Sequence, residues 1–440
     1  MSLILKQNTR RRRRNLCRLK SVFPLQQLNS SEREGIMAGI ELVIPFPKRR
    51  IPWERGKASK YIPPAVKDYL DNLARKRPKF RQKDDNKFLD LRTKRAAMKA
   101  SASVVALVSF IDGKEFIQGS GTIIESDGAL NSVLTSANIF RRSKEVEKNS
   151  LPPDLKIMVY SFDGSSYGEV VAYDYNYNVC VIVFQSQTSL SAARVAHLDD
   201  SMDLEISSSL KPHSRSYKLV PGDGVIVVGR YFHTPYDLMA APGPYQLGRS
   251  HYDCKELFTA KCSITRCGDG GPLINYSGEV IGVAYFHSNI ITHFLPINIA
   301  KKWWEHYKQN GLYRRPLLGI EATNLYVADV DVIERVVQKF PNVSKGVIVE
   351  KVIPGSSADS AGLCVSDVII KCGGETVHGF LEFFEMLWDK VGCRVELVVV
   401  RENNVKPIHL NMLVVEATPA EFNRWPIVNK APKDFFSLVR

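Results

Sequence analysis

The side chains best placed for chemistry lie in one glycine-rich turn near the middle of the chain, residues 265–272 (TRCGDGGP). Such a turn can present one side chain together with neighbouring backbone N–H groups, the arrangement that stabilises the oxyanion of an acyl transfer. Its two reactive side chains are Cys267, a strong nucleophile when deprotonated, and Asp269, a carboxylate. The turn therefore raises the question of acyl-transfer chemistry and of the residues that would have to assist it.

Short β-strand patterns precede and follow this turn. Alternating and continuous apolar runs separated by turn residues predict strands at 104–110, 119–124, 133–138, 156–162, 168–173, 179–184 and 224–229. Strands at this spacing without intervening helical patterns are typical of antiparallel barrels. A closing helix is predicted over 297–308, with Gly311 as its C-terminal stop.

A different pattern follows this helix. A strand from residue 346 ends in Pro-Gly-Ser, and a second strand lies at 367–370 before the Gly373-Gly374 turn. An amphipathic helix over 381–391 and a strand at 395–401 complete the region. This mixture of strands and one helix differs from the strand-rich pattern that precedes it.

These elements and their order resemble the HtrA/Deg (protease Do-like) family in its plant-type form. The landmarks are GSGTII at 119–124 before LTSANI at 134–139, and RRPLLGI at 314–320, which resembles the opening of the family's PDZ domain. The resemblance implies a mainly β chain: a trypsin-like double antiparallel β-barrel, then a PDZ (α+β) domain, after a basic disordered N-terminal extension. The corresponding boundaries are 1–100 for the leader, 101–312 for the barrels, 313–415 for the PDZ domain and 416–440 for a tail.

The three positions that carry the family's Ser-His-Asp chemistry hold other residues here. The histidine position is Asn138, whose amide cannot accept a proton at neutral pH. The aspartate position is the neutral Asn178, and the serine position is Asp269, which places negative charge where the oxyanion must develop. The oxyanion-hole turn would be Cys267, Gly268 and Asp269. No triad position is intact, so the chain is predicted to be a degenerate, catalytically inactive member.

Two side chains could in principle replace the missing chemistry. Cys267 lies two residues before the serine position, so its side chain is expected to point away from the same cleft. An aspartyl pair of Asp269 with Asp174 is conceivable, but no motif brings the two together.

Trp303 and Trp304 on the closing helix are expected to pack against the barrel rather than to bind a ligand.

The PDZ resemblance implies a second, non-catalytic site. In that fold an extended peptide adds to a sheet edge, and backbone N–H groups of a loop hold its terminal carboxylate. The loop would be Leu317, Leu318, Gly319 and Ile320, and the groove wall would include Phe383, Phe384 and Leu387. The segment 326–345 is longer than the usual connection and is expected to carry an extra helix beside this groove.

Charge is distributed unevenly along the 440 residues. Residues 1–100 contain 27 Lys and Arg against nine Asp and Glu, a net charge of +18, whereas the rest has a net charge of −4. Basic runs such as 10–14 favour nucleus or cytoplasm, and the acid-free first 31 residues keep mitochondrion or plastid as the alternative. No apolar run is long enough to span a membrane. The eight scattered cysteines are interpreted as reduced thiols of an intracellular protein, and no metal site or cofactor is predicted.

Three functional hypotheses follow. The leading one is a non-catalytic HtrA/Deg-like protein that binds peptides or protein C-termini, alone, as a homo-oligomer, or together with active relatives. The second is an active serine-type endopeptidase. The third is a nucleic-acid-associated protein acting through the leader, although no basic–aromatic pattern supports nucleic acid as a specific partner.

Overall fold

Two closed antiparallel barrels of six strands each form the first part of the computed structural model, which describes residues 86–142, 149–204, 217–232, 235–248, 254, 256–286, 291–311 and 314–417. The first barrel contains β1 (Val104–Ile111), β2 (Lys114–Asp127), β3 (Leu130–Ser136), β4 (Lys156–Ser161), β5 (Gly164–Asp174) and β6 (Val179–Gln185). It closes in the order β1-β2-β3-β6-β5-β4. The predicted disorder of the leader and nearly all of the predicted tail lie outside the described residues.

The second barrel follows two short strands, β7 (Leu198–Asp199) and β8 (Tyr217–Lys218), which pair in parallel. Its strands are β9 (Gly224–Arg230), β10 (Leu238–Gln246), β11 (Phe258–Ala260), β12 (Pro272–Ile274), β13 (Val280–Tyr285) and β14 (Thr292–Pro296). They close in the order β10-β11-β14-β13-β12-β9. Strands rich in valine and isoleucine fill the interior, and β13 is buried along its whole length. The two barrels confirm the predicted double-barrel fold.

A helix that the sequence analysis did not predict precedes the first barrel. Helix α1 (Leu91–Ala100) begins at Asp90, whose carboxylate accepts hydrogen bonds from the backbone N–H (2.9 Å) and hydroxyl (2.6 Å) of Thr93. Ala96, Ala97 and Ala100 are buried against the second barrel. The folded part of the chain therefore includes residues inside the range assigned to the basic leader.

Helix α2 (Ile297–Asn310) closes the second barrel as predicted. Gly311 ends it in the left-handed conformation, with φ of 67°, and its N–H bonds to the carbonyl of Tyr307 at 2.8 Å. Trp303 is fully buried and Trp304 is nearly so, which agrees with the expected packing role of this pair.

The C-terminal domain is built on a single sheet. The short pair β15 (Pro316–Leu317) and β22 (Val415–Glu416) joins its two ends. The sheet runs in the order β16-β17-β18-β20-β21, with β19 (Glu375–Thr376) paired to β18. Its main strands are β16 (Ile320–Asn324), β17 (Val347–Val352), β18 (Val368–Cys372), β20 (Arg394–Val400) and β21 (Ile408–Leu413).

Three helices accompany this sheet: α3 (Val330–Lys339), the single turn α4 (Ser357–Ser360) and α5 (Phe380–Trp388). Helix α3 is the expected extra helix, but its expected place beside the groove is wrong. Its Val336 packs with Ile348 of β17, whereas Val347 and Val349 of the same strand pack with α5. Because successive side chains of a strand point to opposite faces, α3 covers the face of the sheet opposite α5.

The C-terminal domain is docked against the barrels, and the described residues of both belong to one compact unit. Helix α5 contacts α2 and β7 as well as β16. Its Trp388 stacks on Tyr177 with ring centroids 6.0 Å apart, and the following Asp389 pairs with Lys302 at 2.7 Å and His306 at 3.0 Å. One hydrophobic cluster consequently runs from the second barrel into the C-terminal domain.

Cysteines in the described part of the chain are all free thiols: Cys180, Cys254, Cys262, Cys267 and Cys372 are buried, and Cys364 and Cys393 are exposed. Among the described helices, none has the length and apolar character required to cross a membrane.

Candidate functional site

The glycine-rich turn is wedged between the two barrels. A single 3₁₀ turn, Arg266–Gly268, leads to Asp269, whose carbonyl accepts a hydrogen bond from the N–H of Ser120 in β2 at 2.9 Å. Gly270 adopts φ of 76°, and a Cβ there would lie 2.2 Å from Thr135 Oγ1. A Cβ on Gly271 would lie 2.3 Å from the carbonyl oxygen of Val228. The Gly-Gly pair is therefore required by the close approach of both barrels.

The side chain of Asp269 meets that of Asn138 at this junction. Asn138 Nδ2 donates to Asp269 Oδ2 at 3.0 Å, and the backbone N–H of Phe286 donates to Oδ1 at 3.2 Å. Burial raises the pKa of the Asp269 carboxyl to about 6, and these two hydrogen bonds act in the opposite direction. The structure thus brings together two of the three degenerate positions, as an amide donor and a carboxylate acceptor.

The third position has a different set of partners. Asn178 is fully buried, accepts a hydrogen bond from Arg141 Nη1 at 2.8 Å, and donates from Nδ2 to Ser136 Oγ at 3.0 Å. Its φ of 55° is left-handed, a conformation that asparagine tolerates better than most residues. Arg141 also donates to the carbonyl of Tyr175 at 2.9 Å. Asn178 is therefore bound into a separate polar group.

The backbone N–H groups of the oxyanion-hole turn are directed inward. The N–H of Gly268 bonds to the carbonyl of Thr265 at 3.0 Å, and that of Asp269 bonds to the carbonyl of Arg266 at 3.1 Å. The N–H of Cys267 bonds to the hydroxyl of Thr265 at 3.4 Å. Because all three donors are occupied within the turn, this conformation offers none of them to a peptide carbonyl.

The two possible substitutes for the triad, the Cys267 thiol and the Asp174 carboxylate, are likewise buried in other surroundings. The Cys267 side chain has no exposed surface, so it cannot reach a peptide in the cleft. The Asp174 carboxylate accepts hydrogen bonds from the N–H groups of Asn176 at 2.6 Å and Tyr177 at 3.1 Å. Burial raises the pKa of Asp174, opposed by the charge of Arg315. Among the hydrogen bonds found in the described residues, none joins Asp174 to Asp269.

The loop expected to hold a carboxylate contains a glycine in the left-handed conformation. Gly319 adopts φ of 68°, and a Cβ there would lie 2.6 Å from Ser356 Oγ. Its carbonyl accepts a hydrogen bond from the N–H of Ile353 at 2.9 Å. Leu318 and Ile320 are buried on either side, and Leu317 is half-buried. Strand β16, which follows the loop, lies at the edge of the described sheet.

The expected groove-wall residues lie deeper than a ligand pocket would need. Phe383, Phe384 and Leu387 have no exposed surface, because α5 is covered by the sheet on one side and by α2 and β7 on another. The sequence placed them on the correct helix, and the structure places them in the packed interior of the docked domain.

One buried carboxylate that links the domains was missed by the sequence analysis. Asp200, in the connection between the barrels, accepts hydrogen bonds from Asn324 Nδ2 at 2.7 Å and from the N–H of Leu381 at 3.3 Å. Asn324 Oδ1 in turn accepts the N–H of Phe380 at 2.7 Å. Burial raises the pKa of Asp200 to about 6. This carboxylate ties the first turn of α5 and the end of β16 to the barrel domain across 181 residues of sequence.

Comparisons with known proteins give the same two domains. Residues 119–283 match the family described as a trypsin-like peptidase domain, and residues 329–400 match the PDZ domain. A protein of Arabidopsis thaliana named "Putative protease Do-like 14" is 31% identical over 316 residues, 68% of this chain and 65% of that protein. "Serine protease HTRA1" of Xenopus tropicalis is 25% identical over 311 residues, 68% of this chain and 60% of its own length.

A solved structure titled "HtrA-type protease AlgW with tripeptide" aligns over 74% of this chain and 98% of its own, with 18% identity and a TM-score of 0.48. The chain spans less than two thirds of the length of the two named relatives. On its two domain matches and its Do-like relatives, the chain belongs to the HtrA, or protease Do-like, family of trypsin-like peptidase domains followed by a PDZ domain.

Proposed function

We propose that this chain is a non-catalytic member of the family that binds extended protein segments without cutting them. The observation that carries the proposal is the hydrogen bond between Asn138 and Asp269, the residues at the histidine and serine positions. Hydrolysis needs a hydroxyl and a base that removes its proton. The amide of Asn138 cannot accept that proton, and Asp269 offers a carboxylate where the hydroxyl would be. The nearby backbone donors are bound within their own turn.

The competing function is serine-type endopeptidase activity, which the names of the relatives favour. Casein hydrolysis by the purified full chain, together with labelling by a serine-reactive fluorophosphonate, separates the two functions. We expect neither cleavage nor labelling. Casein cleavage that disappears in Asp269→Asn or in Cys267→Ala would refute the proposal.

We infer further that the binding site is the free edge of β16 with the Gly319 loop. Backbone donors on a sheet edge can pair an extended chain, and the left-handed Gly319, packed against Ser356, sets the shape of the loop proposed to hold a terminal carboxylate. Peptides with a free C-terminus should bind the full chain more tightly than the same peptides with an amidated terminus. Gly319→Val should abolish this difference, whereas Gly374→Ala, at a left-handed glycine with open space around it, should preserve it.

The assembly and the compartment are parts of the same proposal. Binding without cleavage suits a subunit that assembles with itself or with active relatives, and co-purification with a tagged active relative tests this.

The basic runs of the leader favour nucleus or cytoplasm over mitochondrion or plastid. A fluorescent fusion of the full chain, with and without replacement of residues 10–14 by alanine, distinguishes these compartments.

A further inference from the structure

The outer face of α1 carries an arrangement that packing among the described residues does not explain. Thr93, Ala96, Ala97 and Ala100 form the inner face of the helix and are buried. The guanidinium of Arg92 lies 4.1 Å from the ring centroid of Tyr276, which helps to fix the helix on the second barrel. The opposite face consists of side chains that remain in solvent.

Apolar side chains occupy the centre of this outer face. Leu91 and Met98 are seven residues apart, so they lie on nearly one line along the helix. Leu91 is 61% exposed and Met98 is 65% exposed, and Phe88, just before the helix, is 84% exposed. Exposed apolar side chains of this size are common singly, but three on one short segment indicate a surface that is covered in use.

Cations flank the apolar line on both sides. At 100° per residue, Lys94 falls on one side of Leu91 and Met98, and Arg95 and Lys99 fall on the other. Together with Lys87 and Arg92, residues 86–104 carry five cations and one carboxylate. That carboxylate is Asp90, whose pKa is lowered by its hydrogen bonds to Thr93, so it remains ionised as the helix cap.

We propose that the outer face of α1 binds the surface of an anionic lipid bilayer, with the helix axis parallel to the membrane. An apolar line with cations on both flanks is the pattern of an interfacial helix: the apolar side chains enter the headgroup boundary and the cations pair with lipid phosphates. A nucleic-acid surface would use the cations but would leave Leu91 and Met98 facing phosphates. The positive charge of the leader adds to the electrostatic attraction to anionic lipid. That attraction alone does not explain the apolar side chains on α1.

Flotation of the full chain with vesicles tests the proposal. Vesicles of phosphatidylcholine alone are compared with vesicles that also contain phosphatidylserine, at low and at high salt. We expect binding to the anionic vesicles only. Leu91→Ser with Met98→Ser should weaken it at least about tenfold and abolish what persists at high salt. Arg95→Glu with Lys99→Glu should weaken it at least about tenfold at low salt.

Matched controls separate these effects from general changes of charge and polarity. Val405→Ser removes an apolar side chain that is 86% exposed in the PDZ domain, and Lys371→Glu with Lys406→Glu reverses two exposed charges there. Both controls should bind vesicles like the wild type. All variants change exposed side chains, so each should keep the melting temperature of the wild type.

Four results would overturn the proposal. The first is unchanged binding of the Leu91/Met98 variant at both salt concentrations, which would assign vesicle binding to the leader alone. The second is equal binding to neutral vesicles. The third is an oligomer of the full chain that dissociates in the Leu91/Met98 variant, because a second copy would then cover this face. The fourth is binding of duplex DNA but not vesicles, weakened by the Arg95/Lys99 variant.

Discussion

At the scale of single residues, Asp269 is a buried carboxylate at the position that the family resemblance assigns to the serine. In place of a hydroxyl it carries a carboxylate that is removed from water and held by one side-chain amide and one backbone N–H. An acid in this setting is costly to ionise, so this position makes stability depend on pH.

The replacement Asp269→Asn should therefore stabilise the protein at neutral and alkaline pH. The carboxyl has an ordinary pKa of 3.8 and a folded pKa of about 6, so the folded state binds more protons between these values. The cost of ionisation appears as pH rises through this window and is complete above it. We expect the variant to gain up to about 3 kcal/mol at pH 8 and nothing at pH 4.

Urea unfolding at several pH values measures this difference. The exposed Asp154→Asn is the matched control and should show no pH-dependent gain. A gain for Asp269→Asn that is equal at pH 4 and pH 8 would contradict the role assigned to the buried charge.

Restoring the three side chains alone should not restore an enzyme. The variant Asn138→His, Asn178→Asp, Asp269→Ser supplies the groups of a triad, but the N–H groups of residues 267–269 are bound to oxygens of their own turn. Loss of one oxyanion donor costs about 10²–10³ in rate. Fluorophosphonate labelling should be at least about 100-fold slower than for an active trypsin-like enzyme; labelling at an equal rate would show that the turn reopens freely.

At the scale of elements, the turn that holds Asp269 is fixed by its glycines rather than by its reactive side chains. Gly270 has left-handed φ and lies against three atoms of β2 and β3, two of them in the backbone. Backbone atoms cannot rotate away as side chains can, so this contact defines how closely the barrels approach.

Gly270→Ala should consequently destabilise the protein by at least about 2 kcal/mol, combining backbone strain with a steric clash. Gly128→Ala is the control, because Gly128 has φ of 61° but nothing within 4 Å of the added Cβ. It should lose only about 1 kcal/mol. Chemical denaturation of both variants tests the prediction, and equal losses would mean that the barrels can separate around the turn.

At the scale of the whole molecule, the second barrel and the PDZ domain share one apolar core. Trp388 contributes to that shared core, while Asp200 and Asp389 add polar links on either end of α5. Domains that share a packed core should unfold together rather than one after the other.

Calorimetry of the full chain should therefore show a single transition for the second barrel and the PDZ domain. Trp388→Ala removes the stack on Tyr177 and leaves a cavity between the domains, so it should lower stability by about 3–5 kcal/mol and split the transition in two. Val405→Ser should do neither. Two transitions in the wild type would show that the docking is too weak to couple the domains.

The sequence predicted those parts of the molecule that depend on local pattern. The barrel strands and α2 with its Gly311 stop follow from apolar runs and glycine signals. The assignment of Asn138, Asn178 and Asp269 to the triad positions rests on the family resemblance. The bond between Arg141 and Asn178 could not be predicted, because it joins residues 37 apart through folding of the barrel. The same holds for Asp200 and Asn324, 124 residues apart. The sequence analysis did not predict helix α1, because the basic residues around the Asp90–Thr93 cap placed this segment in the leader.

The enclosure of α5 sets a limit on how tightly the proposed groove can bind. If Phe383, Phe384 and Leu387 must be uncovered before a peptide reaches them, the observed dissociation constant equals the intrinsic one divided by the fraction of molecules with the helix released. With about 1% released, an intrinsically micromolar groove would be measured as roughly 100 micromolar. Substitutions of Lys302 or His306 that weaken their contacts with Asp389 should then raise peptide affinity, although they change no residue of the groove.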